Sequence, residues 1–185
     1  MTTQLRIGQG YDSHEFKRGV PLVIGGVKIA HSEGLGGHSD GDVLLHAITD
    51  ALLGAIAAPD IGSLFPPSDP KWKNADSAVF LREALRRVAE ARYELINLDS
   101  TLILASPKIG PYSTAIRKQV AQLCGIAEDC VGLKAKTPEG TGTDNAAIAH
   151  VTVLLQRAAS SAQQIEKEAE AEFDDLWTAL GKRKA

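Results

Sequence analysis

The sequence predicts an α+β domain in which helices pack on one face of a mixed β-sheet. Hydrophobic periodicity gives the element order ββααβαββ, which is neither a repeated βαβ array nor an all-β pattern. The 185 residues are enough for one domain with a sizeable core, and 44% hydrophobic with 23% charged residues is ordinary for a globular protein. We expect this domain over residues 1–157, followed by an appended segment over residues 158–185.

Two strands are predicted near the N-terminus. The first covers Leu5–His14 and contains Gly8 and Gly10, which are expected to loosen it. The second covers Pro21–Ala30, with a bulge or turn at Gly25-Gly26.

A helix is predicted over Asp40–Ala57, directly after the glycine-rich stretch Gly34–Gly37. Apolar residues recur along it at helical spacing, and Pro59 ends it. Ser39 followed by Asp42 three residues later matches a capping box.

The second half of the chain opens with an irregular loop, Ala58–Asp76, whose length is typical of a functional or mobile segment. The remaining predicted elements are a helix from Asp76 to about Arg92, a strand over Tyr93–Ser106, a turn at Pro107–Pro111, a helix over Tyr112–Cys124, and strands over Val131–Thr137 and Ala147–Gln156. Between the last two strands lies a second polar, glycine-bearing loop, Pro138–Asn145.

The composition changes to Ala/Glu-rich from Ala158 onward. Six apolar residues there fall near one side of a helix, which favours an amphipathic helix docked on the body or on a neighbouring subunit. A partly frayed tail is the alternative.

The bulk properties exclude several classes of protein. A net charge of −3 gives no support for a basic nucleic-acid surface. No run approaches the ~20 apolar residues of a membrane helix, and the N-terminus lacks a hydrophobic signal core. Two cysteines, Cys124 and Cys130, are too few for a disulfide framework and are expected to be buried thiols. We expect a protein of the reducing cytoplasm with no membrane or nucleic-acid partner.

A metal site is indicated by Asp12, His14 and His46. Asp12 and His14 are two residues apart and share one side of an extended segment, while His46 lies on the first helix. Three nitrogen and oxygen donors leave a fourth tetrahedral position open, as in a catalytic zinc site. Asp42 and Asp50 lie one turn either side of His46 and are candidates to orient its second ring nitrogen.

His38 and Ser39 stand just before the start of the same helix. Free backbone amides and the positive end of the helix dipole favour an anion there, and an imidazole and a hydroxyl add two donors. We expect a phosphate group at this point, although Ser39 could serve only as a helix cap.

A second polar group lies in the C-terminal half. Lys108 sits in a tight turn after a predicted strand end, and Lys136, Thr137 and Glu139 stand at a strand-to-loop junction. A hard divalent cation beside phosphates typically takes one carboxylate together with phosphate or water oxygens. The junction therefore favours a second, phosphate-associated metal ion.

These motifs together resemble the 2-C-methyl-D-erythritol 2,4-cyclodiphosphate synthases, enzymes of the non-mevalonate isoprenoid route. The resemblance rests on D-x-H, H-S-D-G-D-x-x-x-H-A-x-x-D-A-L-L-G, D-I-G-x-x-F-P, the A-x-P-K turn and K-A-x-T-x-E, and runs from about Leu5 to Leu155. It implies a homotrimer with the chorismate-mutase-like fold of these synthases and active sites between subunits. The implied reaction converts 4-CDP-2-C-methyl-D-erythritol 2-phosphate to the cyclic diphosphate and CMP, a metal-dependent phosphorus–oxygen lyase activity.

The resemblance also implies a role for individual residues. Asp12, His14 and His46 would bind Zn²⁺, and Glu139 would hold Mg²⁺ or Mn²⁺ with the substrate diphosphate. His38 and Thr137 would assist the transition state, and Ser39 would contact phosphate. Asp60, Ile61, Gly62, Phe65 and Asp69 would contact or border the sugar-like part of the substrate. The cytidine would be received from the adjacent subunit by Leu104, Ala105, Ser106, Pro107, Lys108, Ile109, Gly110, Ala135 and Lys136.

The chain departs from the family pattern in four places. Pro67 stands where an acid is usual, and Gly140–Ala147 replaces the usual L-G-F-T-G-R-G-E-G, removing an arginine that could contact phosphate. Lys136 stands where a small hydroxyl residue is common and is expected to restore positive charge. The segment after residue 157 is unlike the family.

Two other functions remain open at this stage. A metal-dependent phosphoesterase would use water as nucleophile and give an open product. A catalytically idle trimer would bind nucleotide or isoprenoid without turnover. The length disfavours an amidohydrolase barrel, since such barrels take ~250 residues.

Overall fold

The computed structural model describes residues 4–73 and 75–158. The elements in chain order are β1 (Leu5–Arg18), β2 (Leu22–Ile24), β3 (Val27–Ile29), β4 (Glu33–Leu35), α1 (Val43–Ala55), α2 (Ile61–Leu64), α3 (Ala78–Glu90), β5 (Tyr93–Ile103), α4 (Ser113–Cys124), β6 (Val131–Lys136) and β7 (Ala146–Arg157). Short 3₁₀ turns cover Pro70–Trp72, Gly110–Tyr112 and Glu128–Cys130. The predicted appended helix lies outside the described residues.

The main sheet has five strands in the order β4-β1-β7-β5-β6. All neighbours are antiparallel except β5 and β6, which run parallel. The sheet is therefore mixed, and the predicted α+β class is confirmed. A separate two-stranded hairpin joins β2 to β3, so the second predicted strand is in fact two strands that turn at Gly25-Gly26.

One face of the sheet carries the core and the other is open. Gly8 and Gly10 on β1 and Ala147, Ala149 and Val151 on β7 are buried on the helix side. On the opposite side β1 exposes large apolar side chains: Leu5, Ile7 and Tyr11 are 50%, 72% and 53% exposed. The alternation follows from the two-residue repeat of a strand.

Helix α1 lies against β1 at backbone contact distance. A Cβ built on Gly8 would stand 1.9 Å from the carbonyl oxygen of Ala51, and one on Gly10 would stand 1.9 Å from that of Ala47. The two glycines do not loosen β1, which is continuous over 14 residues. Their missing side chains instead let α1 approach, and this approach positions the site.

The start of α1 differs from the prediction. Ser39 is not the cap, because Asp42 holds that position and its carboxylate accepts hydrogen bonds from the backbone amides of Leu44 and Leu45 at 3.1 and 3.0 Å. The same carboxylate accepts from Gly25 and Gly26 at 2.9 and 2.6 Å, which ties the β2–β3 turn to the helix. A fully buried carboxylate is tolerated because four amides satisfy it.

The predicted long loop between residues 58 and 76 contains α2 and the Pro70–Trp72 turn. The two cysteines also differ from one another. Cys124 is buried at the end of α4, and burial raises the pKa of its thiol to about 12. Cys130 is only half-buried and lies in a 3₁₀ turn before β6, so the prediction of two buried thiols is wrong for Cys130.

No helix within residues 4–73 and 75–158 has the length and apolar character needed to cross a membrane.

Candidate active site

Asp12, His14 and His46 meet at one point between β1 and α1. Asp12 Oδ2 lies 2.9 Å from His14 Nε2 and 3.0 Å from His46 Nδ1, and the two ring nitrogens are 3.1 Å apart. The three side chains are 25%, 17% and 11% exposed, so the cluster is mostly buried but remains in contact with solvent. It is a group of donors able to hold a metal ion, as the sequence predicted.

The local structure explains this convergence. Asp12 and His14 project from the helix-facing side of β1. His46 lies one turn into α1, on the part of the helix that Gly10 allows to touch the strand. The imidazole of His46 is therefore held by backbone packing rather than by a loop.

The electrostatics of Asp12 are set by its two histidines. Burial alone would raise the pKa of the Asp12 carboxyl, but hydrogen bonds with His14 and His46 outweigh burial and hold that pKa well below its ordinary value. Asp12 is thus an anion facing two nitrogen donors.

The residues predicted to orient His46 do not do so. The Asp42 carboxylate instead accepts hydrogen bonds from four backbone amides. Asp50 accepts a hydrogen bond from the Ile61 amide at 2.8 Å and so ties α2 to α1. The ring nitrogen Nε2 of His46 is instead contacted by two serine hydroxyls, Ser77 Oγ at 2.9 Å and Ser39 Oγ at 3.0 Å.

Ser39 therefore lies beside the metal cluster, where the sequence placed a phosphate contact. His38 precedes it in the chain and is exposed. The glycine at position 41 has φ +72 and turns the chain into α1 at this point. The loop thus presents the Ser39 hydroxyl next to the three donors.

The segment predicted to contact the sugar-like part of a substrate follows α1. Asp60 caps α2 by accepting from the Ser63 amide at 2.7 Å, and Ile61 is held by Asp50. Gly62 is exposed on α2, and Asp69 caps the next turn by accepting from the Lys71 amide at 3.1 Å.

A group of aromatic side chains connects this segment to the Asp12, His14 and His46 side chains. The ring of Phe65 lies 4.6 Å from that of Phe80, and the ring of Phe80 lies 5.9 Å from that of His46. Trp72 closes the group at 5.1 Å from Phe65. The predicted segment therefore borders the cluster within one chain.

The second predicted group of site residues lies at the ends of β5 and β6, towards the opposite edge of the sheet from β1 and β4. β5 and β6 are parallel, so the segments that follow them leave the same edge, and the Leu104 amide donates to the Lys136 carbonyl at 3.1 Å. Ala105, Ser106 and Lys108 are exposed, Ile109 is buried, and the Ser106-Pro107 peptide is cis. Ala135 and Gly110 are exposed beside them, and Thr137 hydrogen-bonds Glu139.

The two groups do not meet within one chain. In the sheet register Lys136 pairs with Ile103, Ile103 with Ile148, and Ile148 with Ser13, the residue before His14. Three strand spacings separate them, about 14 Å at roughly 4.8 Å per strand. Within residues 4–73 and 75–158, the chain therefore carries two half-sites, one with the metal donors and one with Lys108, Thr137 and Glu139.

Two residues that the structure places in the site were not predicted. Ser77, at the start of α3, contacts His46, and Asp40 accepts hydrogen bonds from the Ser77 hydroxyl and amide. Asp40 stands inside the H-S-D-G-D motif without a role assigned from it, and Ser77 lies 37 positions further along the chain in no recognised motif.

Comparisons with known sequences all match one protein family. A family model described as the YgbB family matches residues 5–156. A protein of Koribacter versatilis (strain Ellin345) named 2-C-methyl-D-erythritol 2,4-cyclodiphosphate synthase is 60% identical over 153 residues, which cover 83% of this chain and 99% of that protein. A chloroplastic protein of the same name from Oryza sativa subsp. japonica is 52% identical, with 82% of this chain and 70% of that protein covered.

Solved structures agree with the sequence comparisons. One described as a structure of 2C-methyl-D-erythritol-2,4-cyclodiphosphate synthase superposes with a TM-score of 0.78 at 44% identity, covering 82% of this chain and 100% of the other. A second, described as the bound form with CDP, gives 0.78 at 42% identity with the same coverage.

Proposed function

Because the chain belongs to the YgbB family, we propose that it is a 2-C-methyl-D-erythritol 2,4-cyclodiphosphate synthase. The substrate would be 4-CDP-2-C-methyl-D-erythritol 2-phosphate. An oxygen of the 2-phosphate attacks the β-phosphorus, a new P–O bond closes the cyclic diphosphate, and the bond from the β-phosphorus to the CMP oxygen breaks. The observation that carries this proposal is the Asp12/His14/His46 cluster beside the Ser39 hydroxyl.

The donor set fits Zn²⁺. An ion bound at ~2.0–2.1 Å in tetrahedral geometry separates its donors by roughly 3.3 Å, and the three donor atoms are 2.9 to 3.1 Å apart. One carboxylate and two imidazoles leave one position for a phosphate oxygen. When bound, the zinc ion would neutralise charge on the β-phosphate as a Lewis acid.

The protein side chains then have distinct tasks. Both reacting groups are anionic phosphates, so their approach is repulsive until donors lie between them. His38 and Ser39 would donate to the reacting phosphate from the loop before α1, because the Leu44 and Leu45 amides that begin the helix are already bonded to the Asp42 carboxylate. Thr137 would support the transition-state charge from the other half-site, and Glu139 would hold the Mg²⁺ or Mn²⁺ that accompanies the diphosphate.

Substrate folding accounts for much of the catalysis. Nucleophile and electrophile belong to one molecule, so the enzyme needs mainly to hold the conformer in which they meet and to exclude water. The segment from Asp60 to Asp69 would hold the methylerythritol part. Leu104 to Gly110 with Ala135 and Lys136 would hold the cytidine.

A homotrimer would bring the half-sites together. Within one chain, the distance of about 14 Å between β1 and β6 keeps the two half-sites apart. In a cyclic trimer with heterologous interfaces, the metal half-site of one chain would face the cytidine half-site of the next chain. The exposed Leu5, Ile7 and Tyr11 provide an apolar sheet face for such an assembly. We expect light scattering to give a mass three times the 19.6 kDa of the chain.

The decisive assay uses purified protein, the CDP-methylerythritol 2-phosphate substrate, zinc and magnesium, with ³¹P NMR as the readout. We expect CMP and a cyclic diphosphate in equal amounts, and no turnover after chelation. An open diphosphate would instead establish a hydrolase that uses water. Binding without any product would establish an idle scaffold.

Lys136 gives a second test of the same site. Lys134 on the same strand pairs with Asp99, whereas Lys136 makes no ion pair within the described residues and is exposed at the cytidine half-site. We expect Lys136→Ala to raise KM about tenfold or more, since a hydrogen bond to a charged group contributes ~1.5–3 kcal/mol.

Lys134→Ala is the matched control for Lys136→Ala. It removes the same charge from the same strand, but at a position already neutralised by Asp99. We expect its KM to stay within about twofold of the wild-type value. An unchanged KM in Lys136→Ala would remove this lysine from the substrate site.

A further inference from the structure

The Nε2 side of His46 is contacted by a chain of two residues, Ser77 and Asp40, to which the sequence analysis assigned no role. The Ser77 hydroxyl lies 2.9 Å from His46 Nε2, on the side of the ring opposite the metal donors, and Ser77 is fully buried. The Asp40 carboxylate accepts both the Ser77 hydroxyl and, at 3.2 Å, the Ser77 amide. A continuous chain of hydrogen bonds therefore runs from His46 through Ser77 to a carboxylate.

The proton on His46 is constrained by this arrangement. Nδ1 faces Asp12 and His14 at 3.0 and 3.1 Å, so Nδ1 must present a lone pair if His46 is to bind a metal ion. A neutral imidazole then carries its single proton on Nε2. Nε2–H consequently needs an acceptor.

Two serine oxygens compete for that proton. Ser77 gives its own proton to Asp40, so its oxygen is available only as an acceptor. Ser39 lies 3.0 Å from Nε2 and accepts weakly from the Gly41 amide at 3.4 Å. Ser77 therefore accepts from His46 Nε2–H, and the Ser39 hydroxyl, 3.3 Å from Ser77 Oγ, can donate either to that oxygen or to a phosphate oxygen.

Asp40 is itself fixed by the backbone around it. Its amide donates to the Ala75 carbonyl at 3.1 Å, and its carboxylate also accepts from the Asp42 amide at 3.2 Å. These bonds join the loop before α1 to the start of α3. The carboxylate therefore cannot follow a moving serine and acts as a fixed end of the chain of hydrogen bonds.

We propose that Ser77 and Asp40 are positioning residues that hold His46 in its Nε2–H tautomer for metal binding. The proposal rests on the proposed function, since it concerns the same metal centre. Partners of this kind orient metal-binding histidines in many proteins, and losing one typically costs about 10–100-fold in metal affinity.

The test compares zinc dissociation constants, measured by competition with a chromophoric chelator, in three alanine variants. We expect Ser77→Ala to bind zinc at least about tenfold more weakly. Ser100→Ala is the control: Ser100 is also buried and donates to the Gly132 carbonyl at 2.6 Å, far from His46. Ser39→Ala should keep zinc affinity within about twofold but lose turnover, because it removes the phosphate contact.

Two further measurements test the proposal: ¹⁵N NMR of His46 and the zinc affinity of Asp40→Asn. ¹⁵N-histidine NMR of the zinc-loaded protein should show a His46 Nε2–H that exchanges slowly with water in the wild type and faster in Ser77→Ala, which lacks the acceptor. If Ser77→Ala does not fold, Asp40→Asn decides, since the amide cannot accept from both the Ser77 hydroxyl and its N–H. Wild-type zinc affinity in Ser77→Ala, or in Asp40→Asn, overturns the positioning role. Zinc binding that survives His46→Ala overturns the metal centre itself.

Discussion

His46→Ala is expected to lose bound zinc and cyclase activity together. The substitution removes one of three donors and leaves Asp12 and His14 on one strand, too few to hold the ion in tetrahedral geometry. Since a metal Lewis acid contributes several kcal/mol to the transition state, we expect kcat/KM to fall about 10³-fold or more. Metal content per chain and CMP release measure the two losses.

Asp50→Asn is the matched control for His46→Ala. It lies one turn further along α1, and its amide oxygen can still accept from the Ile61 amide, which is the contact that the structure assigns to Asp50. We expect normal zinc content in this variant. If Asp50→Asn lost zinc and His46→Ala retained it, the assignment of the metal donors would be wrong.

Gly10→Ala is expected to cause the largest structural effect. The new methyl group would stand 1.9 Å from the Ala47 carbonyl oxygen and 2.7 Å from the Ala51 amide nitrogen, both of them backbone atoms of α1. Backbone cannot rotate aside as a side chain does, so α1 must move away from β1. We expect a loss of about 3 kcal/mol or more in the free energy of unfolding, at the upper end for overpacked cores.

Zinc content should fall with stability in Gly10→Ala, because the displaced helix carries His46 away from Asp12. Gly54→Ala is the control, made on the solvent side of α1, where a Cβ meets only the Gln9 carbonyl oxygen at 3.7 Å. That variant should gain up to about 1 kcal/mol from helix propensity. Denaturant unfolding checks both, and wild-type stability in Gly10→Ala would refute the close-packing account.

The sequence predicted the family and the metal donors because these depend on short spacings. Asp12 and His14 are separated by one residue on a strand, and His46 has a fixed phase on a helix. The family membership is confirmed by the comparisons, and the meeting of the three donors by the geometry. The roles of the other site residues stay predictions.

Contacts between distant segments could not be predicted in this way. Asp42 looked like a partner of His46 or of a capping box, but the β2–β3 turn lies over its carboxylate. Asp50 was predicted to face His46, yet α2 folds back to supply the Ile61 amide. Ser77 was not identified because only the packing of α3 beside α1 brings its hydroxyl to the ring nitrogen.

Some predicted element boundaries were wrong for the same reason, because they depend on contacts between distant segments. The residues from Pro21 to Ala30 have the composition of one strand, but two consecutive glycines with positive φ fold them into a hairpin. β1 continues four residues beyond His14 because β4 returns to pair with Phe16, Lys17 and Arg18. The Gly25-Gly26 pair indicates a bulge or a turn without deciding between them, and the pairing of β4 with β1 leaves no local signal.

The carboxylate of Asp42 has one more consequence. It joins the amides of Gly25 and Gly26 to those that begin α1, so a single buried group is shared by the hairpin and the helix. If either segment opened alone, the buried Asp42 carboxylate would lose the hydrogen bonds from that segment while it stayed in the core, which is energetically costly. The hairpin and the first turn of the helix should therefore behave as one cooperative opening unit. The loop bearing His38 and Ser39 lies between them, so its placement is as durable as that unit.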